Sequence, residues 1–154
     1  LPINDTLRKF GYPDTLIHRY QHWSVLLRPQ QITLGSIVVA AHSEVTQFSQ
    51  LDKHAISELA EVSAHIEDTL KNCFEFDRIN YLMLMMVDPH VHMHVIPRYE
   101  KPREFNGVEL IDKDWPLPPD LTQQVSDNGI MQAGLLEYLR GAWVKWNRDI
   151  CNDL

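Results

Sequence analysis

The chain is 154 residues long, 44% hydrophobic and 23% charged, with a formal charge of −7. That is the size and balance of one globular domain with a substantial core. Its acidity argues against generic binding to nucleic acid or to an anionic membrane surface.

Along the chain, residues 4–10 and 14–20 suggest two short helices, broken by the turn signal Gly11-Tyr12-Pro13-Asp14. The opening LPINDTLRKFGYP shows no apolar leader. HWSVLLR at 22–28 and TLGSIVVAA at 33–41 are expected strands, separated by Pro29-Gln30-Gln31. Next, Leu51, Ala55, Leu59, Val62, Ile66, Leu70 and Cys73 step by fours and threes, which predicts one long amphipathic helix. Ser49 is its expected N-cap. Residues 78–87 (RINYLMLMMV) and 90–97 then form two strands joined only by Asp88-Pro89, so they should be antiparallel neighbours. The run at 81–87 is apolar at both parities, as in a central strand covered on both faces. It is too short to span a bilayer. Residues 98–120 hold Pro102, Pro116, Pro118 and Pro119 and form a long loop, with a short strand at 108–111. Leu135, Leu139, Trp143, Trp146 and Ile150 mark a C-terminal amphipathic helix, capped by Ser126 or Asp127. The sum is an α+β domain, an antiparallel sheet with helices on one side. Cys73 and Cys151 make neither a disulfide framework nor a metal-spaced pair, a usage that suits the cytoplasm.

Three of the eight histidines stand at alternate positions in PHVHMHVIP, residues 89–97. On a strand His90, His92 and His94 share one face, and Val91, Met93 and Val95 share the other. A metal is one use for such a row. At ~3.3 Å per residue the outer pair lies about 13 Å apart, too far for one zinc with nitrogens at about 2.0–2.1 Å. Two of the histidines with a distant ligand could still bind metal, although no H-E-x-x-H or C-x-x-C supplies one. Acid–base and nucleophilic chemistry is the other use, since imidazole titrates near neutral pH and its nitrogen can attack phosphorus.

HVHMHVI at 90–96 matches at every position the signature of the histidine triad (HIT) family, His-φ-His-φ-His-φ-φ with φ apolar. Gly35-Ser36-Ile37-Val38-Val39 resembles the family's upstream Gly-His-φ-φ-φ strand. Trp115-Pro116-Leu117-Pro118 is similar to the Trp-Pro-Pro ending of its nucleotide-binding branch. The resemblance covers about residues 22–98, with 99–154 as a C-terminal loop and helix of the same domain. It implies an α+β fold whose sheet continues across a homodimer, a nucleotide-binding cleft, and hydrolysis or transfer at the α-phosphorus of nucleotide conjugates. No metal or other cofactor is expected, since the strand geometry argues against a shared three-histidine metal. His92 would be the nucleophile, His94 would bind phosphate and assist departure, and His90 would hold the row's geometry. The segment around Trp115 would lie against the partner subunit.

Two departures stand out. Ser36 occupies the place of the family's upstream histidine, and His42, about 20 Å further along an extended strand, does not replace it. The Gly-, Ser- and Gln-containing phosphate loop before the triad has no counterpart in Val87-Asp88-Pro89-His90. Phosphate or nucleotide contacts are therefore expected from Ser36, Arg28, Arg98 and Asn80, the arginines having a solvated alternative and Asn80 a strand-start one. Beside the hydrolase or transferase stand two other readings: a nucleotide-binding protein with impaired turnover, and a metal-binding module.

Overall fold

The computed structural model describes residues 3–122 and 130–150. Five strands, β1 (Leu16–Arg19), β2 (Trp23–Leu27), β3 (Ile37–Ala41), β4 (Arg78–Leu82) and β5 (His92–Arg98), form an antiparallel sheet in the order β1-β2-β3-β5-β4. The strand carrying His92 and His94 is therefore interior, paired with β3 on one side and β4 on the other.

Strand alternation decides which residues meet which layer. Trp23, Val25, Leu27, Ile37, Val39, Met93 and Val95 pack in the main core with the helices α2 (Lys53–Phe74) and α3 (Ile130–Trp143). Each fully buried apolar side chain there, such as Ile66 or Leu70, contributes roughly 1.5–3 kcal/mol. The Trp23 indole donates to the Ala55 carbonyl at 2.8 Å, joining β2 to α2. The opposite face holds Leu26, Val38 and Ala40, and across the β3–β5 register Val38 lies beside His94 and Ala40 beside His92. This face was expected to lie open. Instead α1 (Asp5–Lys9) covers it, with Leu7 and Phe10 packed on Leu26, Val38 and Ala40.

Other expectations shift for local reasons. Residues 14–20 do not form a second helix; Leu16–Arg19 pair with β2, and so short a segment follows its neighbour rather than its own propensity. The long helix starts at Lys53, where the Asp52 carboxylate accepts from the His54 amide at 2.7 Å; Ser49 sits in a preceding 3-10 turn. Ser126 and Asp127, proposed as caps of the last helix, lie outside the described residues, as does Cys151. The apolar run at 81–87 is not a central strand. β4 ends at Leu82 on the sheet edge, Met85 turns the chain at φ 44°, and Met86 and Val87 are 81% and 84% exposed. β4 and β5 are antiparallel neighbours as expected, but residues 83–91 connect them rather than two residues alone.

Gly35, just before β3, adopts φ 85°, and a Cβ there would stand 2.8 Å from the Phe74 ring. Only glycine fits both demands. Within the long loop a hairpin forms from β6 (Arg103–Phe105) and β7 (Val108–Leu110), turned by Asn106-Gly107 with both φ positive.

Candidate active site

His92 and His94 project from β5 onto the α1 face, their ring centroids 5.1 Å apart at 78°. Both are buried, at 2% and 7% exposure, and Phe10 lies 5.6 Å from each ring. His90 stands just before the strand begins, where its Nδ1 meets the Thr6 hydroxyl at 3.0 Å. Its backbone carbonyl lies 2.7 Å from His92 Nδ1. A carbonyl oxygen can only accept, so His92 Nδ1 carries the proton, and in the neutral ring Nε2 keeps its lone pair. The chain thus sets the tautomer of its central histidine with its own backbone.

Both rings line a cavity of about 420 Å³ with Phe10, Arg28, Met85 and Leu121 among its walls, within the usual range for small-molecule sites. Arg28 follows β2 at the parity of Leu26, which turns it onto the triad face. It donates to the carbonyls of Gln30 at 2.5 Å and Leu121 at 3.2 Å, while its buried Nε has no hydrogen-bond partner among the described residues. Lys9 and Asp88 also line the cavity and pair at 2.8 Å.

Burial, with the neighbouring His92 and Arg28, pushes His94 down to about 4, against the opposing pull of Asp88. Its ring is therefore neutral at pH 7, and its buried Nδ1 has no hydrogen-bond partner among the described residues. A consequence for stability follows. The unfolded chain takes up this proton near 6.5 and the folded one only near 4, so stability falls as pH drops through that window. His94→Asn, which cannot titrate, should show a shallower loss of melting temperature between pH 6.5 and 4 than the wild type. Parallel pH profiles would refute this.

The other candidates lie elsewhere. Arg98 is not in this cavity; its guanidinium forms a bidentate pair with Asp112 and donates to Asn80 Oδ1 at 2.9 Å. Asn80 is thereby occupied as well. Ser36 is fully buried in a turn, where its hydroxyl donates to the Thr33 carbonyl at 2.8 Å and accepts from the Thr33 amide. None of the three lines the triad cavity, so of the expected phosphate contacts only Arg28 meets the histidines. His42 is engaged with Ser24 Oγ and the Gln21 carbonyl, also outside the cavity. Among the described residues no three His, Cys, Asp or Glu side chains are grouped to hold a metal ion.

The HIT domain model matches residues 10–101, more than half of the chain. The chain belongs to the HIT domain family. Solved HIT-fold structures resemble it over nearly its whole length. A histidine triad protein from Bradyrhizobium japonicum is 16% identical, covering 92% of this chain and 96% of its own, with a TM-score of 0.70. One from Marinobacter aquaeolei is 18% identical, covering 94% and 96%, with a TM-score of 0.72. A protein from Sulfolobus tokodaii, described as a hypothetical histidine triad nucleotide-binding protein, is 17% identical over 90% and 89%, with a TM-score of 0.65. No curated protein matches the chain in sequence.

In this HIT domain the sequence alone did not reveal Thr6, Lys9 and Phe10 as residues of the site. Their signal was weak but present: Ile3, Leu7 and Phe10 make an apolar helical stripe that must cover something.

Proposed function

We propose that this HIT protein, acting as one domain over residues 1–154, hydrolyses or transfers nucleotide conjugates at the α-phosphorus. The observation that carries this is the His92–His90 carbonyl hydrogen bond, which leaves Nε2 as a free nucleophile in a cavity beside Arg28. In the first step the Nε2 lone pair forms a bond to phosphorus. The bond to the leaving group breaks, and its electron pair departs with that group. Water then displaces the nucleotide from the imidazole and restores it. Arg28 would hold the phosphoryl oxygens, a role its fixed charge and unused buried donor support. His94 would donate a neutral N–H to the developing charge, and His90 would fix the His92 tautomer. Nucleotide binding is also the property named for the Sulfolobus tokodaii protein.

His94, held near 4, is a poor proton donor at neutral pH, and Ser36 is turned into its own loop. An enzyme short of a general acid favours leaving groups that need little protonation. Nucleotide anhydrides, which release phosphate with a second pKa of about 6, should therefore give a higher kcat/KM than phosphoramidates of alkyl amines sharing the same nucleoside. A preference for the phosphoramidate would show an adequate acid in the site. Binding without turnover of either would favour the nucleotide-binding reading, which the occupied Ser36 supports.

We infer a homodimer as the working form. Among the described residues nothing pairs with the outer edge of β4, and the apolar Leu84, Met86 and Val87 follow it on the surface. Trp115 and Pro116 line a second cavity beside that edge. Sedimentation should give the mass of two chains at micromolar concentration, and a monomer there would refute the proposal.

A further inference from the structure

The charges around the triad cavity are unevenly satisfied. Arg28, at the buried end, pairs with no carboxylate among the described ion pairs; its guanidinium meets only backbone carbonyls. Lys9, half-exposed, is held by Asp88 at 2.8 Å. The two partners come from different walls, Lys9 from the end of α1 and Asp88 from the connection at 83–91. Among the described residues, Arg28 and Lys9 are the only lysine or arginine side chains lining the cavity.

An α-phosphate beside His92 needs one cation, and Arg28 is placed to be it. A second phosphate, further toward solvent, would meet Lys9 and the carboxylate of Asp88. With Asp88 unpaired, that carboxylate would repel it; with Lys9 between them, the ammonium can face both. A lysine ammonium is a compact charge on a flexible stem, able to pass from one oxygen to another.

We propose that the Lys9–Asp88 pair is a charge latch that selects substrates carrying a second phosphate beyond the α-position, the incoming phosphate taking Asp88's place on the Lys9 ammonium. This rests on the nucleotide reading of the cavity and adds the class of leaving group. A nucleoside monophosphate leaves the latch shut and gains nothing from Lys9. A diphosphate recruits it.

The test is calorimetric binding of a nucleoside monophosphate and the matching diphosphate to wild type, Lys9→Met, Lys9→Arg and Asp88→Asn. Wild type should bind the diphosphate about tenfold more tightly, the order of one charge-assisted hydrogen bond. Lys9→Met should erase that ratio, lowering diphosphate affinity about tenfold more than monophosphate affinity, and Lys9→Arg should keep most of it. Asp88→Asn should raise the ratio by a factor of a few, since the resident competitor is gone. An equal loss for both ligands in Lys9→Met, or weaker diphosphate binding in Asp88→Asn, overturns the latch. So does a wild type that binds both ligands equally, although nucleotide recognition would then survive. Failure to bind either ligand overturns both readings.

Discussion

His92→Ala should lower kcat by about 10⁴-fold or more, the scale on which losing a nucleophile removes the whole covalent route. No other group in the cavity can replace it. His94 points its ring from the same strand, but it is desolvated and its nitrogens are not set by the backbone as those of His92 are. The variant will not be structurally silent. His92 is buried beneath Phe10, so removing its ring leaves a void at the contact between α1 and the sheet. His92→Asn, which keeps some of the volume and a polar tip, separates the effects: it should recover melting temperature relative to alanine but not turnover. Intact-mass measurement during turnover gives a second readout. A nucleotide adduct should accumulate on the wild type and be missing from both variants. Retention of more than a small fraction of hydrolysis in either variant would remove His92 from the nucleophile's place.

The largest stability loss should come from the far end of the same strand. Arg98 and Asp112 are 4% and 2% exposed at their side chains and make two hydrogen bonds, at 2.7 and 3.1 Å. Arg98 also donates to Leu117 O and Asn80 Oδ1, and Asp112 accepts from the Tyr99 amide. Removing one partner leaves the other charge buried and unpaired, a cost of about 3–5 kcal/mol. Either Arg98→Met or Asp112→Asn should therefore lower the unfolding free energy by that order in urea titrations. The paired replacement Arg98→Met with Asp112→Leu should recover part of it, because no isolated charge remains. Two single variants within about 1 kcal/mol of wild type would show that water reaches the pair.

What the sequence disclosed, and what it did not, divides along physical lines. The histidine row was legible because alternation on a strand fixes facing without any knowledge of the partner strands: Val91, Met93 and Val95 enter the core, while His92 and His94 take the other face. The long helix was legible because its stripe runs for 22 residues. Arg28 and Arg98 looked alike, two arginines at strand ends. What separates them is a carboxylate at Asp112, distant in sequence, which the fold delivers to one and not the other. The run at 81–87 misled because an apolar segment bound for a surface edge has the same pattern as one bound for the interior. Asn106-Gly107 was a readable hairpin signal between 103 and 110 that the surrounding prolines obscured.

The wall that α1 gives to the cleft has an effect reaching beyond contact. α1 spans only Asp5–Lys9, too short to be stable as an isolated helix. It is held by what it touches: Asn4 on the carbonyls of Ala41 and Ser43, Leu7 on the sheet, Thr6 on His90 and Lys9 on Asp88. The Lys9–Asp88 tether lines the cavity itself, and Phe10, the residue that follows α1, does so as well. Ligand affinity therefore contains a share of the free energy that docks this segment. A change such as Leu7→Ala, which touches no ligand, would act on binding by lowering the population of molecules whose cleft is assembled.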